Sequence, residues 1–151
     1  MIKRIFIGII FFVVGFGIAM YADAFFRQLI QDLFQWTTNN HIIFIGKDFY
    51  LFGDPVYFTS FGLVFLLFSI ANRKKEIKKI AINALILFLL FSLLLTGISA
   101  FDAHFKLIEC TACDDGTRKL GYNEINYGLI LTISALLSTI PSLITLLKKT
   151  T

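Results

Sequence analysis

Hydrophobic positions along the chain gather into four uncharged runs, Ile5 to Ala22, Val56 to Asn72, Ile80 to Phe101 and Ile125 to Leu147, with polar stretches between them. About 20 helical residues cross a hydrocarbon core of roughly 30 Å, so each run is long enough to span a membrane. The runs lack the polar–apolar alternation of a barrel strand, and lipid leaves open backbone groups unsatisfied, so helix is the expected form. The second run has a clear start in "GDPVYF", where Asp54 can cap and Pro55 fits the first turn. The fourth is expected to start in a similar way at Asn123. The pattern predicts an all-α membrane protein, a four-transmembrane-helix bundle with an amphipathic outer segment, forming a single domain over residues 1–151.

Composition supports this class. The 151 residues are 57% hydrophobic, 16% aromatic and only 16% charged, and the mean hydropathy of +0.79 is far above what a soluble core needs. "MIKR" followed by an apolar run and "ADA" (Ala22 to Ala24) has the outline of a secretory signal. The run is long enough to span, and it is read as the first transmembrane helix.

Charge sets the expected orientation. Lys3, Arg4, Arg73, Lys74, Lys75, Lys78, Lys79, Lys148 and Lys149 place nine of the fourteen basic residues on one side, which the positive-inside rule makes cytoplasmic. Nine of the ten acidic residues, Trp36 and all five tyrosines fall on the other. The expectation is a multi-pass protein of the bacterial inner membrane with both termini in the cytoplasm. A pI near 9.1 follows from this topology and calls for no direct nucleic-acid partner.

Most non-membrane residues face outward, in segments 23–55 and 102–123, whereas the inner connection is only "RKKEIKK". In "DAFFRQLIQDLFQW" the residues Phe25, Phe26, Leu29, Ile30, Leu33 and Phe34 share one helical face, with Asp23, Arg27, Gln31, Asp32 and Gln35 opposite. This predicts a helix that lies in the outer interface or packs over the mouth of the bundle. The following "HIIFIGKDFYLFGD" has two β-prone runs around Gly46, Lys47 and Asp48, the pattern of a hairpin or re-entrant turn.

Candidate chemistry is sparse. Cys110 and Cys113 form a C-x-x-C pair in the second outer segment, where a disulfide is the expected state in an oxidising compartment. A thiol oxidoreductase uses the same spacing, but Glu109, Asp114 and Asp115 beside the pair disfavour a reactive thiolate, and no second cysteine pair exists for a relay to quinone. A zinc site from His104, Cys110, Cys113 and Asp114 or Asp115 has suitable donors but not a standard spacing. No metal, catalytic residue or cofactor is expected, and no Asp, Glu, Lys, Arg or His lies within the four runs, which argues against a proton-coupled carrier.

Within the runs, Gly128, Thr132, Ala135, Thr139 and Ser142 make a small, hydroxyl-bearing stripe suited to helix contact, either inside one bundle or along a homo-oligomer seam. Gly8, Gly15 and Ala19 mark close approaches on the first helix. Pro141 should bend the last. The basic patch Arg73, Lys74, Lys75, Lys78, Lys79, Lys148 and Lys149 could hold membrane lipids or dock an acidic partner.

Four short spans, in-facing basic ends, "GKDFYLFGDPVYFTSFG" before and into the second span and "ECTACDDGTRKLGYNEINYG" before the last resemble the membrane subunit of the Kiwa anti-phage system in size and layout. The resemblance covers the architecture of the whole chain and carries over no functional residue. It implies a homo-oligomeric inner-membrane protein that senses infection at the envelope and works with a soluble effector. The expected function is therefore a non-enzymatic sensor or scaffold that recruits a cytosolic effector protein. The alternatives are a membrane thiol-disulfide oxidoreductase and an immunity protein against a pore-forming toxin.

Overall fold

A computed structural model describes residues 2–46, 54–108 and 117–147. The chain is mostly helical, in the order α1 (Ile2–Tyr21), α2 (Asp23–Thr37), β1 (Ile42–Ile45), α3 (Pro55–Asn72), α4 (Ile77–Ile108), β2 (Arg118–Gly121), α5 (Tyr127–Ser138) and α6 (Ile140–Leu147). Three helical stretches, α3, α4 and residues 127–144 across α5 and α6, are each long and apolar enough to cross a membrane. The number rises to four if α1 and α2, bent by 58° at their junction, count as one.

α1 lies antiparallel on α3 because small residues let the backbones meet. A Cβ at Gly15 would come within 2.7 Å of the Phe61 carbonyl oxygen, and one at Gly62 would strike the Phe12 ring. Each glycine thus accepts the partner helix's bulk, as the small residues of the first run predict. The core continues through Phe58, Phe61 and Val64 of α3 to Ile130, Leu131 and Ala135 of α5.

The helix ends follow local chemistry. Asp54 caps α3 by accepting from the Val56 N–H at 2.9 Å, with Pro55 at the first position where its missing N–H costs nothing. The last passage does not start at Asn123, which sits in a 3-10 turn over Tyr122–Glu124. α5 begins at Tyr127, and Asn126 supplies the cap, accepting from Leu129 N–H at 3.0 Å. α2 ends in a Schellman turn: Asn39 and Asn40 adopt φ of 50° and 61°, and the Asn40 N–H reaches the Gln35 carbonyl at 2.8 Å. α5 and α6 break at Thr139, just before Pro141, where proline cannot donate to the Leu137 carbonyl. The Thr139 N–H reaches Leu136 at 3.1 Å, and its hydroxyl bonds the same carbonyl at 2.7 Å.

Two regions go beyond what the pattern predicts. α4 runs well past Phe101, because Ala103 and Leu107 continue the buried face against the core and carry Asp102, His104 and Lys106 along in helix. In the region around Gly46 where a hairpin or re-entrant turn is expected, the described part, β1, makes a long-range pairing. β1 pairs in parallel with β2, in the register Ile42 with Arg118 through Ile45 with Gly121. Parallel strands need a long crossover, and the crossover here is the whole α3–α4 hairpin. Ile42 and Leu120 are both buried beneath this small sheet. Residues 47–53, the second half of the expected hairpin, lie outside the described residues.

The order helix, strand, side-chain-capped helix therefore occurs twice: α1–α2, β1, then α3 behind Asp54; and α4, β2, then α5 behind Asn126. The two halves converge at a sheet end. At the opposite, hairpin end lie the α3–α4 connection and, by the antiparallel packing, the start of α1.

Candidate functional site

The bend at Ala22 puts Asp23 at the first turn of α2 with its side chain turned inward. Arg27, one turn on, meets it at 3.1 Å from Nε to Oδ2, with both side chains nearly inaccessible. A charge pair taken out of water stands only if its remaining hydrogen-bonding groups are met, and three other helices contribute. Tyr57 of α3, fully buried, donates its hydroxyl to Asp23 Oδ1 and lies 3.2 Å from the Ala19 carbonyl oxygen of α1. The Arg27 guanidinium carbon sits 4.8 Å from the centroid of the Tyr127 ring of α5, within cation–π range. Gln31 donates from Nε2 to the Tyr127 hydroxyl at 2.9 Å. One net-neutral cluster thus joins α1, α2, α3 and α5.

This revises the expected faces of α2. Ile30 and Phe34 are buried, and Phe26, Leu29 and Leu33 pack against the core, as the pattern predicts. Phe25 instead points away and is 65% exposed, while Asp23 and Arg27 join the buried side. The reason is position: residues 23, 27, 30 and 34 recur at four-three-four spacing, one line along the helix. Tyr57 and Tyr127, each in the first turn of its helix, bring the polar partners that make burial of the pair tolerable. Two cues were present in the sequence, an Asp and an Arg four residues apart and a tyrosine within three residues of each capping residue.

Two open polar cavities of about 450 Å³ flank the cluster. The first is lined by Gln28, Gln31, Asp32 and Gln35 of α2 on one side and by Phe44 and Tyr122 on the other. Those two rings stack with centroids 5.3 Å apart. The second lies beside Arg27 and Tyr127 and is lined by Asp54, Asn123, Glu124 and Asn126. Gly128 lies under Asp54: a Cβ there would overlap the Asp54 carboxylate. Gln31 lines the first cavity, and Arg27 and Tyr127 line the second.

The other sequence-marked residues are dispersed. Gly128, Ala135 and Thr139 are buried and Thr132 and Ser142 half-buried, with Gly128 set against Asp54 of the same chain. Two buried hydroxyls, Ser99 Oγ in α4 and Thr132 Oγ1 in α5, have no hydrogen-bond partner among the described residues. At the hairpin end Arg73, Lys74, Lys78 and Lys79 are exposed and Lys75 is half-buried, while Glu76 pairs with Lys79 at 3.5 Å on the surface. His104 is exposed on α4. Cys110 and Cys113, the acidic residues beside them, and Lys148 and Lys149 lie outside the described residues, and so does the expected disulfide.

Fold and site define a helix bundle with membrane-length apolar helices, clasped at one end by a buried polar cluster. No family model matches the chain, and no curated protein or solved structure matches it.

Proposed function

We propose that this chain is a multi-pass protein of the bacterial inner membrane that serves as a non-enzymatic sensor or scaffold. An event in the envelope is received at the sheet end, and the basic hairpin face recruits a cytosolic effector. The observation that carries this reading is the Gln31–Tyr127 hydrogen bond, backed by Arg27 on the same ring. Gln31 lines the outer polar groove and Tyr127 opens the last membrane-length passage. A ligand that favours one position of Gln31 over another therefore has a direct mechanical route into α5.

Membrane insertion accounts for the exposed apolar surface. Only 11% of the apolar window of α4 is buried inside the chain, against 44% for α3. Lipid or further copies of the chain would cover the remainder, in keeping with a homo-oligomer. With the start of α1 and the basic hairpin at one end, the positive-inside rule puts both termini in the cytoplasm. The architectural resemblance to the Kiwa membrane subunit ties the stimulus to phage infection.

The test is affinity purification from the native host in mild detergent, followed by mass spectrometry. A stoichiometric cytosolic protein on an oligomeric membrane core is the expected result, lost when Arg73, Lys74, Lys78 and Lys79 are changed to Glu. A lone protein, or one carrying bound quinone, would overturn the reading.

A further inference from the structure

The polar groove lined by Gln31 has two unlike walls. Gln28, Gln31, Asp32 and Gln35 follow one another at three-one-three spacing, so α2 presents them as a single polar row. On the other side of this cavity of about 450 Å³ stand Phe44 of β1 and Tyr122, the residue after β2, with their rings stacked. The inner faces of the same elements hold both walls in place, through Ile30 and Phe34 on α2 and Ile42 and Leu120 in the strand ladder.

Charge gives the groove a sign. Among the described residues that line it, Asp32 alone is charged. Its side chain is exposed, and neither it nor Gln28 nor Gln35 makes a side-chain hydrogen bond or ion pair with a described residue. In sequence, residues 23–55 and 102–124 carry nine acidic and five basic residues, a net charge of the same sign as the groove's own.

We propose that this groove binds a protonated primary amine, with its ammonium group at Asp32 and its carbon chain against Phe44 and Tyr122. The proposal rests on the sensor reading above and names the chemistry of its stimulus. An ammonium group carries three N–H donors and no acceptor, which suits the Asp32 carboxylate and the carboxamide oxygens of Gln28 and Gln35. Aromatic rings attract a cation and offer apolar surface to the methylene groups beside it. An anion meets no basic side chain among the described lining residues. A hard metal ion takes about six or more oxygen ligands, and no group of His, Cys, Asp and Glu able to hold one occurs among the described residues. A neutral sugar uses the carboxamides but leaves the carboxylate's charge unmatched.

The full chain in non-ionic detergent is titrated by calorimetry with n-butylammonium chloride, n-butanol, sodium butyrate and glucose at one ionic strength, each corrected by the same titration into empty micelles. n-Butylammonium should bind once per chain in roughly the millimolar range, the scale of so small a ligand, and the other three should not bind. Asp32→Asn should weaken it about fivefold, the worth of an exposed ion pair. Tyr122→Leu should weaken it about threefold, that of an exposed cation–π contact. Both variants should keep the native circular dichroism, since Asp32 is exposed and Leu120 still holds the ladder.

No binding of n-butylammonium, equal binding of n-butanol, a preference for glucose or butyrate, or an unchanged affinity in Asp32→Asn would overturn the proposal. Hydrogen exchange separates its failure from that of the sensor reading, because Gln31 joins this row to the Tyr127 hydroxyl. Saturating n-butylammonium should change protection in residues 127–138. Binding without that change keeps the site and removes the relay into α5, whereas absence of binding by a folded chain removes the site alone.

Discussion

Tyr57 and Asp23, 34 residues apart in sequence, meet inside the protein, where the tyrosine hydroxyl donates to Asp23 Oδ1. Asp23 also faces Arg27 at 3.1 Å, so one carboxylate fixes the bend between α1 and α2 and anchors α3 to it. The α1–α2 bend is thereby bolted to α3 at a buried point.

Removing parts of this cluster should cost unequally. Tyr57→Phe takes away one donor and should destabilise by about 1–3 kcal/mol. Asp23→Ala leaves Arg27 buried without its carboxylate and should cost about 3–5 kcal/mol. The double change Asp23→Leu with Arg27→Met should cost less than Asp23→Ala alone. Denaturation in detergent micelles measures all three, and a more damaging double variant would refute the pairing.

Glycine substitutions separate contact from propensity. Gly15→Ala should loosen α1 from α3, since its Cβ would crowd the Phe61 carbonyl oxygen at 2.7 Å. Gly17→Ala meets nothing within 4 Å and should stabilise by about 1 kcal/mol through helix propensity alone. Thermal unfolding of the two variants should shift in opposite directions.

Gly128→Ala should act at a distance in sequence. Its Cβ would displace the Asp54 carboxylate that caps α3, so the loss should be about the 1 kcal/mol of a helix cap or somewhat more. Once Asp54 is already Ala, the same glycine change should cost much less. Stability measured on the two single variants and the double variant checks this coupling.

The parallel pairing makes a kinetic prediction. Leu120→Ser weakens the buried face of β2 and should lower amide protection in residues 42–45 as well as 118–121, because the strands share one ladder. Hydrogen exchange followed by mass spectrometry reports both segments. Unchanged protection in 42–45 would mean that β1 is held by something other than β2.

The helical layout was largely legible in the sequence, because apolar runs of membrane length, Asp54 with Pro55, and Pro141 act through local chemistry. The close approach at Gly8 and Gly15 was legible for the same reason, since small residues at helical spacing permit little else. The β1–β2 ladder was hidden because its two strands are separated by the entire α3–α4 hairpin, and periodicity reports nothing about partners that far apart. The continuation of α4 beyond the expected span was not legible because Asp102 and Lys106 look like the edge of a span, although Ala103 and Leu107 keep the helix packed. The buried pair was harder still. Asp23 and Arg27 look like a solvated face by type, and only Tyr57 and Tyr127, arriving from two other helices, make their burial tolerable.

The most direct test of the central claim, that this cluster couples the sheet end to the membrane-length helices, is hydrogen exchange across α2 and α5 in an Asp23→Asn variant. The account predicts that protection falls together in residues 23–37 and 127–138, because Arg27 and Gln31 hold Tyr127. A loss confined to α2, with α5 unchanged, would contradict it.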